Sequence, residues 1–163
     1  RSKMPNPPVL RSRASRTVAA AGNYTAGDIV SDNVTTGTPW EFTNLFSGIP
    51  GILFKADITC NATNGAVLAS YRLHLFSKIP TTTELRDNVA KAFTAVDMPN
   101  LLGTITFPAM VDEGTYSRAQ VDGLTMGYWT ENSSNILYGV LEDLTGETNE
   151  SAAMTITMTL WAV

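Results

Sequence analysis

The run Val67 to Phe76, VLASYRLHLF, sets the terms for what this chain can fold into. Tyr71, Leu73 and Leu75 share one parity; Arg72, His74 and Phe76 share the other. Side chains two apart lie on the same face of a strand, so this pattern predicts a strand with one wholly buried face and one partly covered face. Pro80 ends the pairing, because proline has no N–H to give to a ladder. Gly103 opens a second alternating strand, Thr104 to Phe107, closed by Pro108.

The same period of two recurs along the chain. In ILFKADIT, residues 52–59, Ile52, Phe54, Ala56 and Ile58 fall on one face and Leu53, Lys55, Asp57 and Thr59 on the other. In MTITMTLW, residues 154–161, Met154, Ile156, Met158 and Leu160 alternate with Thr155, Thr157, Thr159 and Trp161. Asn64–Gly65 predicts a hairpin joining 52–59 to 67–76. Residues 124–130 and 136–141 read as two further strands with a hairpin-type link across 131–135. One window, Glu84 to Val96, suits a helix: Leu85, Val89, Ala92, Phe93 and Val96 recur at helical spacing, and Thr83 is a candidate cap. About eight short strands with polar turns point to an all-β fold, an antiparallel β-sandwich of jelly-roll-like topology with one short helix.

A chain of 163 residues is expected to form one domain. It divides by charge into an extended basic N-terminal arm, residues 1–16, and a single β-sandwich domain, residues 17–163. The arm holds Arg1, Lys3, Arg11, Arg13 and Arg16 and no acid, against six Lys and Arg and fifteen Asp and Glu in the rest. Pro5, Pro7 and Pro8 bar a helix or a central strand there, which leaves a solvated tail or an arm fixed by a neighbour. A basic arm on an acidic body favours contact with an acidic surface, and Val9, Leu10, Arg11, Arg13 and Arg16 are the candidate contact residues. Five charges without interleaved aromatics make nucleic acid an unexpected partner. No apolar run is long enough to span a membrane. The basic start is not followed by the apolar stretch of a signal peptide. Because the chain opens on Arg1, an initiator methionine or longer leader can precede it.

The residues offer little chemistry. His74 is the one histidine and lies mid-strand; Cys60 is the one cysteine. A Cys/His metal site needs more of each, and a nucleophilic triad needs a placed base. No serine stands in a G-x-S-x-G turn, and the glycines are dispersed as turn formers rather than gathered into a phosphate loop. Asp28 and Asp32 read as turn acceptors. The adjacent pairs Asp112–Glu113 and Glu142–Asp143 read as solvated loop carboxylates. No enzyme activity, metal or cofactor is expected. Trp40, Trp129 and Trp161 suit core or interface packing, with sugar stacking as the alternative.

One set of motifs carries a resemblance. The string RLHLF at 72–76, then Pro80–Thr81, Asp87–Asn88, Phe93, Gly103 and Phe107, with Tyr24, Ala26, Gly27, Asp28 and Val30 upstream, resembles a family of small tailed-phage virion proteins. Their genes lie beside the major capsid gene, and the likeness covers roughly residues 20–160. It implies a capsid decoration or cement protein on the virion exterior, with the major capsid protein and further copies of itself, a trimer, as partners. It brings no catalytic residues. Another virion part, such as a tail or fibre-associated module, and a carbohydrate-binding β-sandwich are the competing readings.

Overall fold

The computed structural model describes residues 7–19, 24–61, 65–81, 85–131, 134–146 and 154–163. Its strands are Leu10–Thr17 (β1), Ile29–Val30 (β2), Trp40–Phe42 (β3), Gly51–Asn61 (β4), Tyr71–Phe76 (β5), Leu101–Phe107 (β6), Val111–Asp112 (β7), Ser117–Tyr128 (β8), Leu137–Asp143 (β9) and Thr155–Ala162 (β10). They form two antiparallel sheets. One has the order β1-β10-β4-β8-β7; the other has the order β2-β9-β5-β6, with β3 also against β9. The chain passes back and forth between the sheets, and this order is the jelly-roll arrangement of a double-sheet sandwich. No helix among the described residues is long and apolar enough to cross a membrane.

The core lies between the sheets. Tyr71, Leu73 and Leu75 of β5 join Leu53, Ala56 and Ile58 of β4 and Ile156, Met158 and Leu160 of β10 in one buried cluster. The alternation read from residues 71–76 and 154–161 therefore describes real faces. On β10, Met154, Ile156, Met158 and Leu160 are all buried, while Thr155, Thr157 and Trp161 are half-buried on the outer face.

Strand β4 departs from a single alternation. Its register against β10 slips between Trp161 and Ala162, which leaves Phe54 as an extra residue. Leu53 points inward before the slip, and Ala56, Ile58 and Cys60 do so after it, whereas Ile52 is 48% exposed. A bulge inverts the parity of everything beyond it, because one added residue is half a side-chain period. The neighbouring strand β8 compensates at the same level. There Gly123 takes φ 70, a left-handed value that glycine adopts without steric cost.

Three sequence expectations give way. Strands β4 and β5 do not pair as a hairpin: β4 bonds to β10 and β8, while β5 bonds to β6 and β9. The link across 131–135 is likewise a crossing between sheets, from β8 to β9. Local turn chemistry favoured hairpins, but burying both inner faces at once requires the strands to be shared between layers. Residues 85–96 form no helix either. Among the described residues the helical turn is a 3-10 turn, Met98–Asn100, and 85–97 is a strap of turns and bends. Asn88 has φ 55, which no α-helix can pass through. The strap instead gives its backbone to the β2 region, through Ile29 N to Val89 O, Asn88 N to Ile29 O and Lys91 N to Gly27 O. Asn64, Thr83 and Glu84 lie outside the described residues.

The N-terminal division by charge does not coincide with an element boundary. Residues 10–17 form β1, the outermost strand beside β10, with Ser12 and Ala14 buried.

Two substitutions test this arrangement. Leu160→Ala removes a fully buried side chain between the sheets and should cost about 2–5 kcal/mol in urea unfolding. Gly37→Ala should unseat the strap, because a Cβ there would sit 1.6 Å from the Leu85 carbonyl oxygen at φ 58. Its expected signature is faster amide exchange at Val89 and Lys91, along with a loss of at least about 1 kcal/mol.

Candidate docking face

The outer face of sheet β1-β10-β4-β8 is built from registered rows. Arg11 lies opposite Trp161, Trp161 opposite Lys55, and Lys55 opposite Asp122. The next row runs Arg13, Thr159, Asp57 and Gln120; the one after runs Ser15, Thr157, Thr59 and Arg118. Strand pleating places all of these on one side of the sheet. The guanidinium of Arg11 lies 5.5 Å from the Trp161 ring centre, and the Lys55 ammonium lies 5.2 Å from it. These cations come from the strands on either side of β10, so they bracket the indole. Each such contact is worth about 0.5–1 kcal/mol at an exposed site.

Below that row the face is polar and internally paired. Lys55 Nζ lies 3.3 Å from Asp122 Oδ1, and Arg118 lies 3.6 Å from Asp57. The Gln120 amide donates to Asp122. Ser15 and Thr157 share a hydrogen bond of 2.7 Å. Above the row the surface becomes apolar. Val9, Ile49, Ile52 and Trp129 are exposed, and Pro7, Pro50, Gly51, Ile52 and Val163 line a shallow depression.

The five candidate arm residues divide between outside and inside. Val9, Arg11 and Arg13 are exposed on the outer side of β1. Leu10 packs against the core. Arg16 is committed to its own fold: it donates to the carbonyls of Thr38 at 2.6 Å and Pro39 at 2.8 Å, and lies 4.9 Å over the buried Trp40 ring. Burial holds the Arg16 guanidinium below its ordinary pKa, against the pull of Asp32. Trp40 itself donates from Nε1 to the Val30 carbonyl, which fixes it as a core residue.

On the opposite side of the molecule, Glu142 of β9 is buried and gathers three basic groups. Glu142 Oε2 lies 2.7 Å from His74 Nε2, 3.0 Å from Lys91 Nζ and 3.8 Å from Arg72 Nη1. Phe93 of the strap sets its ring edgewise against both His74 and Phe76, at 4.9 and 5.2 Å. Lys91 and Phe93 thus clasp the strap down on the outer faces of β5 and β9. The adjacent pair Glu142–Asp143 is therefore buried rather than the solvated loop pair its sequence suggested, whereas Asp112 and Glu113 are exposed. Asp143 is also buried, and its Oδ1 accepts from the backbone of Thr145 and Gly146 at 2.7 Å each. Glu142 escaped the sequence reading because its partners stand 51 to 70 residues away; the alternation of 71–76, which puts Arg72 and His74 on one face, was the one available signal.

A third polar centre ties the strap to β2. Asp87 is buried, and its Oδ1 accepts from Tyr24 Oη and Ser31 N, each at 2.7 Å. Burial pushes its carboxyl up to about 6, against those two bonds. Asp28 and Asp32 serve turns: Asp28 accepts from Thr25 N at 2.8 Å, and Asp32 accepts from Thr38 N and Oγ1 at 2.9 and 2.8 Å. Among the described residues no group of three or more His, Cys, Asp or Glu is placed to hold a metal ion.

No family model matches the chain, and no curated protein matches it. Among solved structures it is similar to a chain of the cyanophage Pam1 capsid asymmetric unit, with 16% identity, 99% of this chain and 91% of that chain covered, and a TM-score of 0.39. It is also similar to the CBM22-1–GH10 modules of Clostridium thermocellum endo-1,4-beta-D-xylanase 10B complexed with xylohexaose, with 12% identity, 92% of this chain and 25% of that chain covered, and a TM-score of 0.32. The functional reading therefore rests on the residues themselves.

The Glu142 centre predicts an acid-sensitive fold. Burial holds His74 below its ordinary value of 6.5, so the unfolded chain takes up that proton first and stability falls as pH drops through about 6.5. Burial would raise Glu142, but the His74 and Lys91 bonds outweigh it and hold the carboxyl below its ordinary 4.5. Its contribution is complete above that value and is lost as pH falls through the folded one. Asp87 opposes both between pH 6 and 4, since its raised pKa favours the folded chain on acidification. Glu142→Gln should cost about 1–3 kcal/mol at pH 7 and flatten the stability profile below pH 4.5, read by urea unfolding across pH.

Proposed function

We propose that this chain is a non-enzymatic virion protein of a tailed phage that docks on the outer surface of the capsid and cements adjacent major capsid subunits. The observation that carries the reading is the outer face of β1-β10-β4-β8. There the bracketed Arg11–Trp161–Lys55 row adjoins exposed Val9, Ile52 and Trp129. Apolar surface beside paired cations is the composition of a protein interface rather than of an idle surface. Val9 and Arg11, outward members of the basic segment, meet an acidic patch on the shell. The protein works by binding energy alone, with no cofactor, and several copies together turn modest contacts into lasting attachment. In the virion it is a closed oligomer, a trimer, which matches the threefold positions of a capsid lattice.

The carbohydrate-binding alternative needs an open aromatic face. Trp161 has cations against its ring and Trp40 is buried, so of the three tryptophans Trp129 is left for stacking, with Tyr116 as another exposed aromatic.

Co-sedimentation with capsids lacking the protein tests the reading. Arg11→Glu combined with Ile52→Asp should weaken binding at least about tenfold, a change of roughly 1.4 kcal/mol or more. Binding of the unaltered protein should also fall as salt is raised, because exposed charge contacts are screened. Unchanged binding by the variant would refute the docking face. Specific glycan binding abolished by Trp129→Ala would replace the reading with the carbohydrate one.

A further inference from the structure

The sheet β1-β10-β4-β8-β7 ends in two edges of unlike chemistry. At one side, β1 pairs only with β10, so its other row of backbone groups has no strand partner among the described residues. Arg11 and Arg13 stand exposed on this edge strand. At the other side, β7 covers β8 only at Ser117 and Arg118. From Gln120 to Tyr128 no described strand bonds to that second side of β8, an open stretch about as long as the eight residues of β1. This stretch carries the exposed carboxylate of Asp122, which reaches Lys55 at 3.3 Å, and exposed Asp112 and Glu113 lie beyond its end at β7. The inner side chains Val121, Leu124 and Met126 are only partly buried there, although they belong to the core.

An uncovered strand edge is a template for another strand. The direction of the strands makes a second copy the fitting occupant. β1 runs antiparallel to β10, β10 to β4 and β4 to β8, so β1 and β8 are antiparallel to one another. A second copy set beside β8 and turned about the ring axis presents its β1 to β8 in the sense that continues the sheet. Setting Arg13 opposite Asp122 then places Ser15 opposite Gln120. Only Thr17, the last residue of β1, comes level with Arg118, where β7 begins.

We propose that copies of this chain associate head to tail around a closed ring, β1 of one copy adding to the 120–128 edge of β8 in the next, with Arg13 facing Asp122. The contact covers the half-exposed Val121, Leu124 and Met126 and satisfies two free backbone edges at once. It rests on the reading of the chain as a homo-oligomer and names the surface that holds it together.

Light scattering coupled to gel filtration tests the contact. The unaltered protein should run as a multimer. Arg13→Glu and Asp122→Arg should each reduce it to a monomer, and the double charge swap should restore the multimer. Both residues are exposed, so circular dichroism should show all three variants folded. A multimer indifferent to both single changes would overturn this contact while leaving the oligomer reading intact. A double variant that stays monomeric would also count against the contact. A monomeric unaltered protein at every concentration would overturn both the contact and the oligomer reading.

Discussion

The cluster joining Leu53, Ala56 and Ile58 of β4 and Ile156, Met158 and Leu160 of β10 to Tyr71, Leu73 and Leu75 of β5 constrains the rest of the structure. Neither sheet can bury its apolar face without the other, so the strands are dealt between two layers rather than paired with their chain neighbours. That dealing forces long crossings at the ends of the sandwich. It also leaves one sheet with an open polar outer face and the other with a face that the 85–97 strap covers. The strap needs its own fastening, supplied by polar groups: Glu142 to Lys91 and His74, and Asp87 to Tyr24 and Ser31.

Much of the fold was legible in the sequence because period-two alternation is a local property. Residues 71–76 and 154–161 show their faces without help from the rest of the chain. The layer to which a strand belongs is not local. Asn64–Gly65 suits a hairpin whether or not the next strand crosses to the other sheet, and nothing near residue 65 records that β4 will be claimed by β10 and β8. The bulge at Phe54 was hidden for a related reason. Ile52, Phe54, Ala56 and Ile58 form an unbroken apolar series on paper, and only the register against β10 shows that the phase changes within it. The helical spacing of Leu85, Val89 and Phe93 reflects separate anchor points of a strap, which happen to fall at similar intervals.

The docking face was legible in part. Arg11 and Arg13 were singled out by charge, and their outward placement follows from the pleat of β1. Arg16 carries the same charge but the opposite parity, on the face of buried Ser12 and Ala14, and it is drawn onto Trp40 and the carbonyls of Thr38 and Pro39. Charge alone separates these roles poorly, because a guanidinium serves equally well as a free contact or as a clamp on its own backbone. Trp161 gained its meaning only from strand order, which sets Arg11 and Lys55 on its two sides.

The pairing of β1 with β10 has a consequence for synthesis. Leu10 has Ala162 as its register partner, so β1 must wait for the whole of the intervening sandwich to be made before its neighbour appears. Strand β4 can pair with β8 on one side but waits for β10 on the other. The β4-β8-β7 part of the sheet can form first, but β1 cannot be joined to it until β10 has emerged. Such distant pairing makes folding slow, on the order of milliseconds to seconds, and leaves unpaired edges exposed in the meantime. The alternating arginines of β1 therefore have work before any partner is met, because charge on a waiting strand discourages premature pairing with other nascent chains.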